Sequence, residues 1–467
     1  MVLFGIWILA GGEPLYSDVR IVPDETVLAI GEESEPLPLE TLIRAAFLAS
    51  GAKNAELDRS VEAILRIIDT LSSLTSLDMA RRGGVLLEWI HENLLTRYVE
   101  LQTSLVILLG KGTYNCASSA VLYMLLARGI GISAHGVLTK DHVFCHIPVA
   151  SRSVGIDVET TTAHGFDAGS RRLARDSFTS RTGFIYVPAG KQRKNIDEKE
   201  LISLIYQNRI SVLQKSGDWD EAVGLSLDRW VLTRSQAAME DYQLSVRNYA
   251  IYLNEQKRQV EGLLFLNDVA KALGKNHGFE DIATMLLGNA VVLNLNKNHV
   301  KEARAILEDE SLRTLVPRDF VLARQREIML RELEITVTGI KDEPSFFAAL
   351  ADVNEALALD IIDARRWEEL TLFLWTKEAQ RKTVGENWMV GWLFLQTAPE
   401  PARAVPGWDH LEATYEYNTI ITYHNRFATA SRQGRIDTAN KILNEGLELF
   451  PNSRILIADK KLLTEQL

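Results

Sequence analysis

A chain of 467 residues is too long for one ordinary hydrophobic core and points to two or three domains. A net charge of -11 and a hydrophobic share of 46% exclude disordered and fibrous classes. Lysine and arginine form no block longer than "KQRK" at Lys191, so nucleic acid is not expected as a partner, and two cysteines exclude a disulfide-dense scaffold.

The first segment, residues 1–20, holds an apolar run from Val2 to Ala10. It is too short to span a bilayer, which takes about 20 residues. It suits either the apolar part of an export signal whose basic start is missing or a first β-strand, which leaves export slightly preferred over the cytoplasm. No other run has transmembrane character, so no integral membrane segment is expected.

From Glu40 to about Leu109 apolar residues recur at helical spacing, as in "RSVEAILRIIDTLSSL". "GTYNCASSAVLYMLLARGIG" follows, with Asn115 as N-cap and Gly129 as stop, and predicts a helix over 116–128 with Cys116 in its first turn. The runs "SAHGVLT", "HVFCHIPV", "VGIDVET" and "GFIYVP" predict a small sheet. The polar stretch "PAGKQRKNIDEKE" places a domain boundary near Arg193, giving domains 21–193 and 194–467.

Beyond it the pattern is helical, with short turns preceding Ala222, Gly262 and Ala303 at roughly forty-residue spacing. In the last unit Gly434, Ala439, Leu447, Phe450 and Pro451 resemble the tetratricopeptide consensus. Stacked helical hairpins would offer a surface to a protein or peptide, with an irregular bundle as the alternative; Trp219, Trp367 and Trp375 are expected in its core.

Helix-start backbone N–H groups and the macrodipole favour a thiolate over a thiol at such a position. In "HVFCHI" alternation puts His142, Phe144 and His146 on one face and Val143 and Cys145 on the other. His142 is the expected base, with His146 its rival, and Asp157 in "GIDVE" the carboxylate that would orient it. Gln102, Tyr114 and Asn115 are candidate substrate or oxyanion contacts, beside the backbone N–H of Cys116, while His164 and Asp167 are expected to shape a loop. A metal is not expected: HxxxH brings two rings together on a helix, not on a strand, and no CxxC pair supports it. A Cys116–Cys145 disulfide is disfavoured by the facing of Cys145. No cofactor motif is present.

"YNCASSAVLYMLLARGIGISAHGV", "DHVFCHI" and "GIDVETTTAHGFD" together resemble the transglutaminase-like superfamily over about residues 87–188. The resemblance implies an α+β, papain-like fold with Cys116 as nucleophile, His142 as base and Asp157 as its partner. Followed by an all-α, tetratricopeptide-like half, it is similar to bacterial proteins that join a transglutaminase-like domain to helical repeats. "DVETT" stands where the family more often has Asp-Pro-Thr. The expected activity is cysteine-dependent acyl transfer at an amide, peptide or isopeptide bond, as a protease, amidase or transglutaminase; a non-catalytic interaction scaffold is the alternative.

Overall fold

The computed structural model describes residues 19–150, 155–168, 192–274 and 277–466. The apolar N-terminal run of residues 1–18 and the "GFIYVP" segment lie outside them. The chain forms two compact units, Met1–Leu287 and Gly288–Leu467. The first combines helices with a small sheet and the second is all helical.

In the first unit helices α1 (Glu25–Glu32), α2 (Leu39–Ala49), α3 (Asn54–Thr70), α4 (Met79–Asn93) and α5 (Leu105–Lys111) precede α6 (Cys116–Gly129). Helix α6 is apolar on every side because α2, α3, α4, α5 and α7 (Glu198–Ser216) all pack against it. Every residue from Ala117 to Ala127 is buried. Each leucine in it would cost about 2–5 kcal/mol if cut to alanine, so the helix has little freedom to move. Its first turn is fixed as the sequence predicts: Asn115 Oδ1 accepts the Ser118 amide at 3.0 Å and Ser118 Oγ accepts the Asn115 amide at 2.9 Å, a capping box.

Two short strands, β1 (Arg97–Tyr98) and β2 (Thr113–Tyr114), pair in parallel just ahead of that turn. The main sheet contains β3 (His135–Leu138), β4 (Val143–Ile147), β5 (Ile156–Val158) and β6 (Lys194–Ile196) in the order β5-β4-β3-β6, all antiparallel. Strand β4 lies on α6, where the Cys145 S–H donates to the Ala120 carbonyl at 3.3 Å.

The domain boundary expected near Arg193 is not where the units divide. Lys194–Ile196 forms an edge strand instead of a linker, and Ile196, Leu201, Ile202, Ile205, Tyr206, Ala222 and Leu225 enter the same core as α6. Three strand residues, two of them polar, carry too little periodicity to be seen in the sequence.

Helices α8 (Trp219–Thr233), α9 (Gln236–Glu255) and α10 (Gln259–Leu273) follow, each packed on the one before. The division between units falls inside α11 (Glu280–Asn296). The second unit contains α12 (Val300–Glu308), α13 (Glu310–Arg313), α14 (Arg318–Thr338), α15 (Glu343–Ala358), α16 (Ala364–Lys382), α17 (Trp388–Leu395), α18 (Glu400–Arg403), α19 (Trp408–Arg432), α20 (Ile436–Leu449) and α21 (Arg454–Gln466). Neighbours in sequence are mostly neighbours in space, a repeat-like arrangement.

The turns expose a repeat that side-chain identity hides. Gly217, Lys257, Asn298 and Gly434 all adopt left-handed φ of 61–85°. In each case the following amide bonds back across the turn: Asp218 to Leu213, Arg258 to Leu253, His299 to Asn294 and Arg435 to Ala430. Five residues after each lies a small buried residue, Ala222, Gly262, Ala303 or Ala439. Trp375 is core, packed edge-on or tilted against Phe346, Phe394 and Trp408 at 4.9–5.7 Å. Trp367 is partly buried and donates to Asn354 Oδ1 at 2.8 Å, and Trp219 is half-buried beside Tyr252.

Candidate functional site

Helix α6 presents Cys116 half-buried at its start, and the tight turn before β4 brings His142 to it. That turn is closed by the Thr139 amide donating to the His142 carbonyl at 2.9 Å. His142 is 7% exposed, and Cys116 is close enough to act on the ionisation of its ring. Its Nε2 lies 2.8 Å from Glu159 Oε2.

Glu159, not Asp157, is the carboxylate on His142. Asp157 takes His146 Nδ1 at 2.7 Å and both terminal nitrogens of Arg193 at 2.7 and 2.8 Å. Register explains the exchange. Asp157 stands directly opposite His146, and four residues along a strand is about 13 Å, out of reach of His142. Two positions further on, in continuation of that register, Glu159 comes level with Phe144 and diagonal to His142. The "DVE" alternation places both acids on the histidine face; only the pairing register tells which acid meets which ring.

Glu159 is fully buried, and its Oε1 accepts the Thr161 amide at 3.2 Å and the Thr161 hydroxyl at 2.8 Å. The loop after β5 folds back so that the Glu159 amide donates to the Gly165 carbonyl at 2.9 Å. A Cβ on Gly165 would stand 1.9 Å from the Glu159 carbonyl oxygen, so only glycine fits this close approach. His164 is exposed on the loop and Asp167 takes a left-handed φ of 54°, as loop-shaping residues would. Ser119 of α6 ties the same loop to the helix through Thr160 Oγ1 at 2.8 Å, and His91 Nε2 donates to the Thr160 carbonyl at 3.0 Å.

Burial alone would lower the His142 pKa, but the charge and hydrogen bond of Glu159, with Cys116 nearby, outweigh it and push the imidazole up to about 10. The ring then holds its proton beside a buried carboxylate through the neutral range. Burial, and next Glu159, push the Cys145 thiol well up, and its side chain is fully enclosed. The second histidine dyad differs: burial and then its neighbour His146, 5.1 Å away ring to ring, lower the pKa of His135. Among the described residues no group of three His, Cys, Asp or Glu side chains is placed to hold a metal.

The three expected oxyanion or substrate contacts are engaged in structure. Gln102 Nε2 donates to the Thr113 carbonyl at 2.5 Å and its Oε1 accepts the Ser104 amide at 2.7 Å. Tyr114 is buried and donates to the Thr161 carbonyl at 3.1 Å. Asn115 caps α6 and donates through Nδ2 to the Glu100 carbonyl at 3.0 Å. Tyr98 carries no mark in the sequence, yet its phenol is close enough to Cys116 for the sulfur to act on its ionisation. The signal for it is pairing of β1 with the strand that leads into Cys116, which two-residue strands do not betray.

No family model matches the chain, and no curated protein matches it in sequence. No helix among the described residues is long and apolar enough to cross a membrane.

Proposed function

We propose that the first unit is a cysteine-dependent acyl-transfer enzyme of the transglutaminase-like kind, acting on an amide, peptide or isopeptide bond. The observation that carries this reading is His142, held by the buried Glu159 at 2.8 Å and close enough to Cys116 at the start of α6 for the sulfur to act on its ionisation. Cys116 Sγ attacks the carbonyl carbon, His142 gives its proton to the departing amine, and Glu159 fixes the ring and balances its charge. Glu159 takes the role expected of Asp157. Water as acceptor completes a hydrolysis and an amine completes a transamidation. In the same proposal the helical second unit binds a protein or peptide.

Iodoacetamide labelling at neutral pH tests the site. Cys116 is expected to label at least tenfold faster than Cys145, about the effect of an ion-paired and accessible thiol against a buried one, and His142→Ala should remove most of the difference. Equal slow labelling of both cysteines would refute the enzyme and leave an interaction scaffold.

A further inference from the structure

We propose that the groove along α14, walled by α12 and by α15 with the turn after it, seats one helix of another protein, a cationic and amphipathic segment. The inference gives a place and a chemistry to the reading that the second unit binds a protein or peptide, and it rests on that reading.

Helix α14 is thinly covered for its length. Of its 21 residues only Val321, Ile328, Leu333 and Val337 are buried. Leu322 is 45% exposed, and Leu359, just after α15, is 52% exposed. Three hollows of about 610, 250 and 260 Å³ follow one another along the helix and share their walls. Met329 borders all three, Gln325 joins the first to the second, and Arg304 joins the second to the third. The groove runs beside α14 from Asp319 to Thr336, about 26 Å at 1.5 Å per residue. Along it Leu322, Arg326, Met329, Leu333 and Thr336 recur at alternating four- and three-residue steps, the seam on which a second helix packs. Leu359 and Ile361 add apolar surface, and the flexible thioether of Met329 adapts to what lies on it.

Charge selects the occupant. Five carboxylates and two guanidiniums border the groove, a net charge of -3. Arg304 is already taken, with Nε donating to Glu332 Oε1 at 3.0 Å and a terminal nitrogen 3.7 Å from Glu308. Asp319, Asp352 and Glu355 are exposed and form no ion pair among the described residues. An apolar seam flanked by unanswered carboxylates matches a helix whose leucine-like stripe lies between lysines or arginines. A second copy of this chain does not match: it carries -11 overall and would bring the same acidic rim against itself.

Three fluorescein-labelled peptides of roughly eighteen residues, the length of the groove, test this by anisotropy with the full chain. One has leucine and lysine at helical spacing, one has glutamate in place of each lysine, and one scrambles leucine and lysine so that no apolar face forms. The first should bind at least about tenfold more tightly than either of the others. Asp352→Lys with Glu355→Lys should weaken it about tenfold, and Leu359→Asn about fivefold. Glu416→Lys with Glu448→Lys changes the net charge equally at exposed sites outside the groove and should leave binding within about twofold. A scrambled peptide bound as tightly, or a control pair as costly as the groove pair, would show diffuse attraction to an acidic surface and overturn the groove. If the groove pair lacks a cooperative melt, Asp352→Asn with Glu355→Gln is read instead: a loss of about threefold supports the groove and no loss overturns it. A glutamate peptide bound as tightly as the lysine one overturns the cationic partner and leaves the peptide-binding reading standing; binding of none of the three overturns both. A wild-type chain that sediments as a dimer, separated by Leu359→Asn, would assign the groove to a second copy and overturn the foreign helix.

Discussion

A carboxylate sealed from water costs several kcal/mol unless its charge is answered, and at Glu159 three donors answer it: the His142 ring, the Thr161 amide and the Thr161 hydroxyl. The pair also reports itself through pH. His142 holds its proton more tightly folded than unfolded, so the pair's stabilisation is fully present below about pH 6.5, the ordinary histidine value, and is lost as pH rises through about 10. Glu159→Gln should cost about 3 kcal/mol near pH 6.5, and melting curves of wild type and variant should converge above pH 10. A gap that stays constant with pH would show that the ring is not charged by Glu159. Cys116 and His142 are legible because a helix start and an alternating strand each leave a sequence mark. The sequence points to Asp157 rather than Glu159 because the two share a face two residues apart, and the hydrogen-bond register that separates them belongs to the β4–β5 pairing rather than to either segment.

At the scale of the element, the recurring helix stop sets what each turn position tolerates. A residue with a Cβ at left-handed φ costs about 1–2 kcal/mol, which glycine avoids at some expense of chain entropy. Lys257, at φ 61°, occupies the position that glycine holds at 217 and 434. Lys257→Gly should therefore raise stability by about 0.5–1 kcal/mol. Gly434→Ala should lower it by about 1 kcal/mol, with no steric part because nothing lies within 4 Å of the added Cβ. Urea midpoints for the two variants should move in opposite directions, and shifts of the same sign would refute the shared turn. The sequence exposes the last repeat through Gly434 and Ala439, while the middle ones are obscured because lysine and asparagine hold the same backbone shape with different side chains.

For the whole molecule, the segment after Arg193 belongs to the first unit's core. Ending the chain at residue 193 removes Ile196, Leu201, Ile202, Ile205 and Tyr206 and uncovers α6, so that shortened chain should lack a cooperative melt. A chain carried to residue 287 should retain one. A cooperative transition in the shorter piece would show that the core closes without β6 and α7. The coarse plan of α+β followed by all-α is legible in the change from mixed to purely helical texture. The division is not, because α7 and α8 serve as cover for the core around α6 while carrying the same periodicity as the repeats beyond them.

The late arrival of β6 and α7 also bears on how the protein is made. Synthesis delivers the sulfur-bearing helix some eighty residues before the helix that covers it. A nascent chain thus leaves the ribosome with this enclosed helix covered only by the helices made before it, and acquires the remaining cover in a late step.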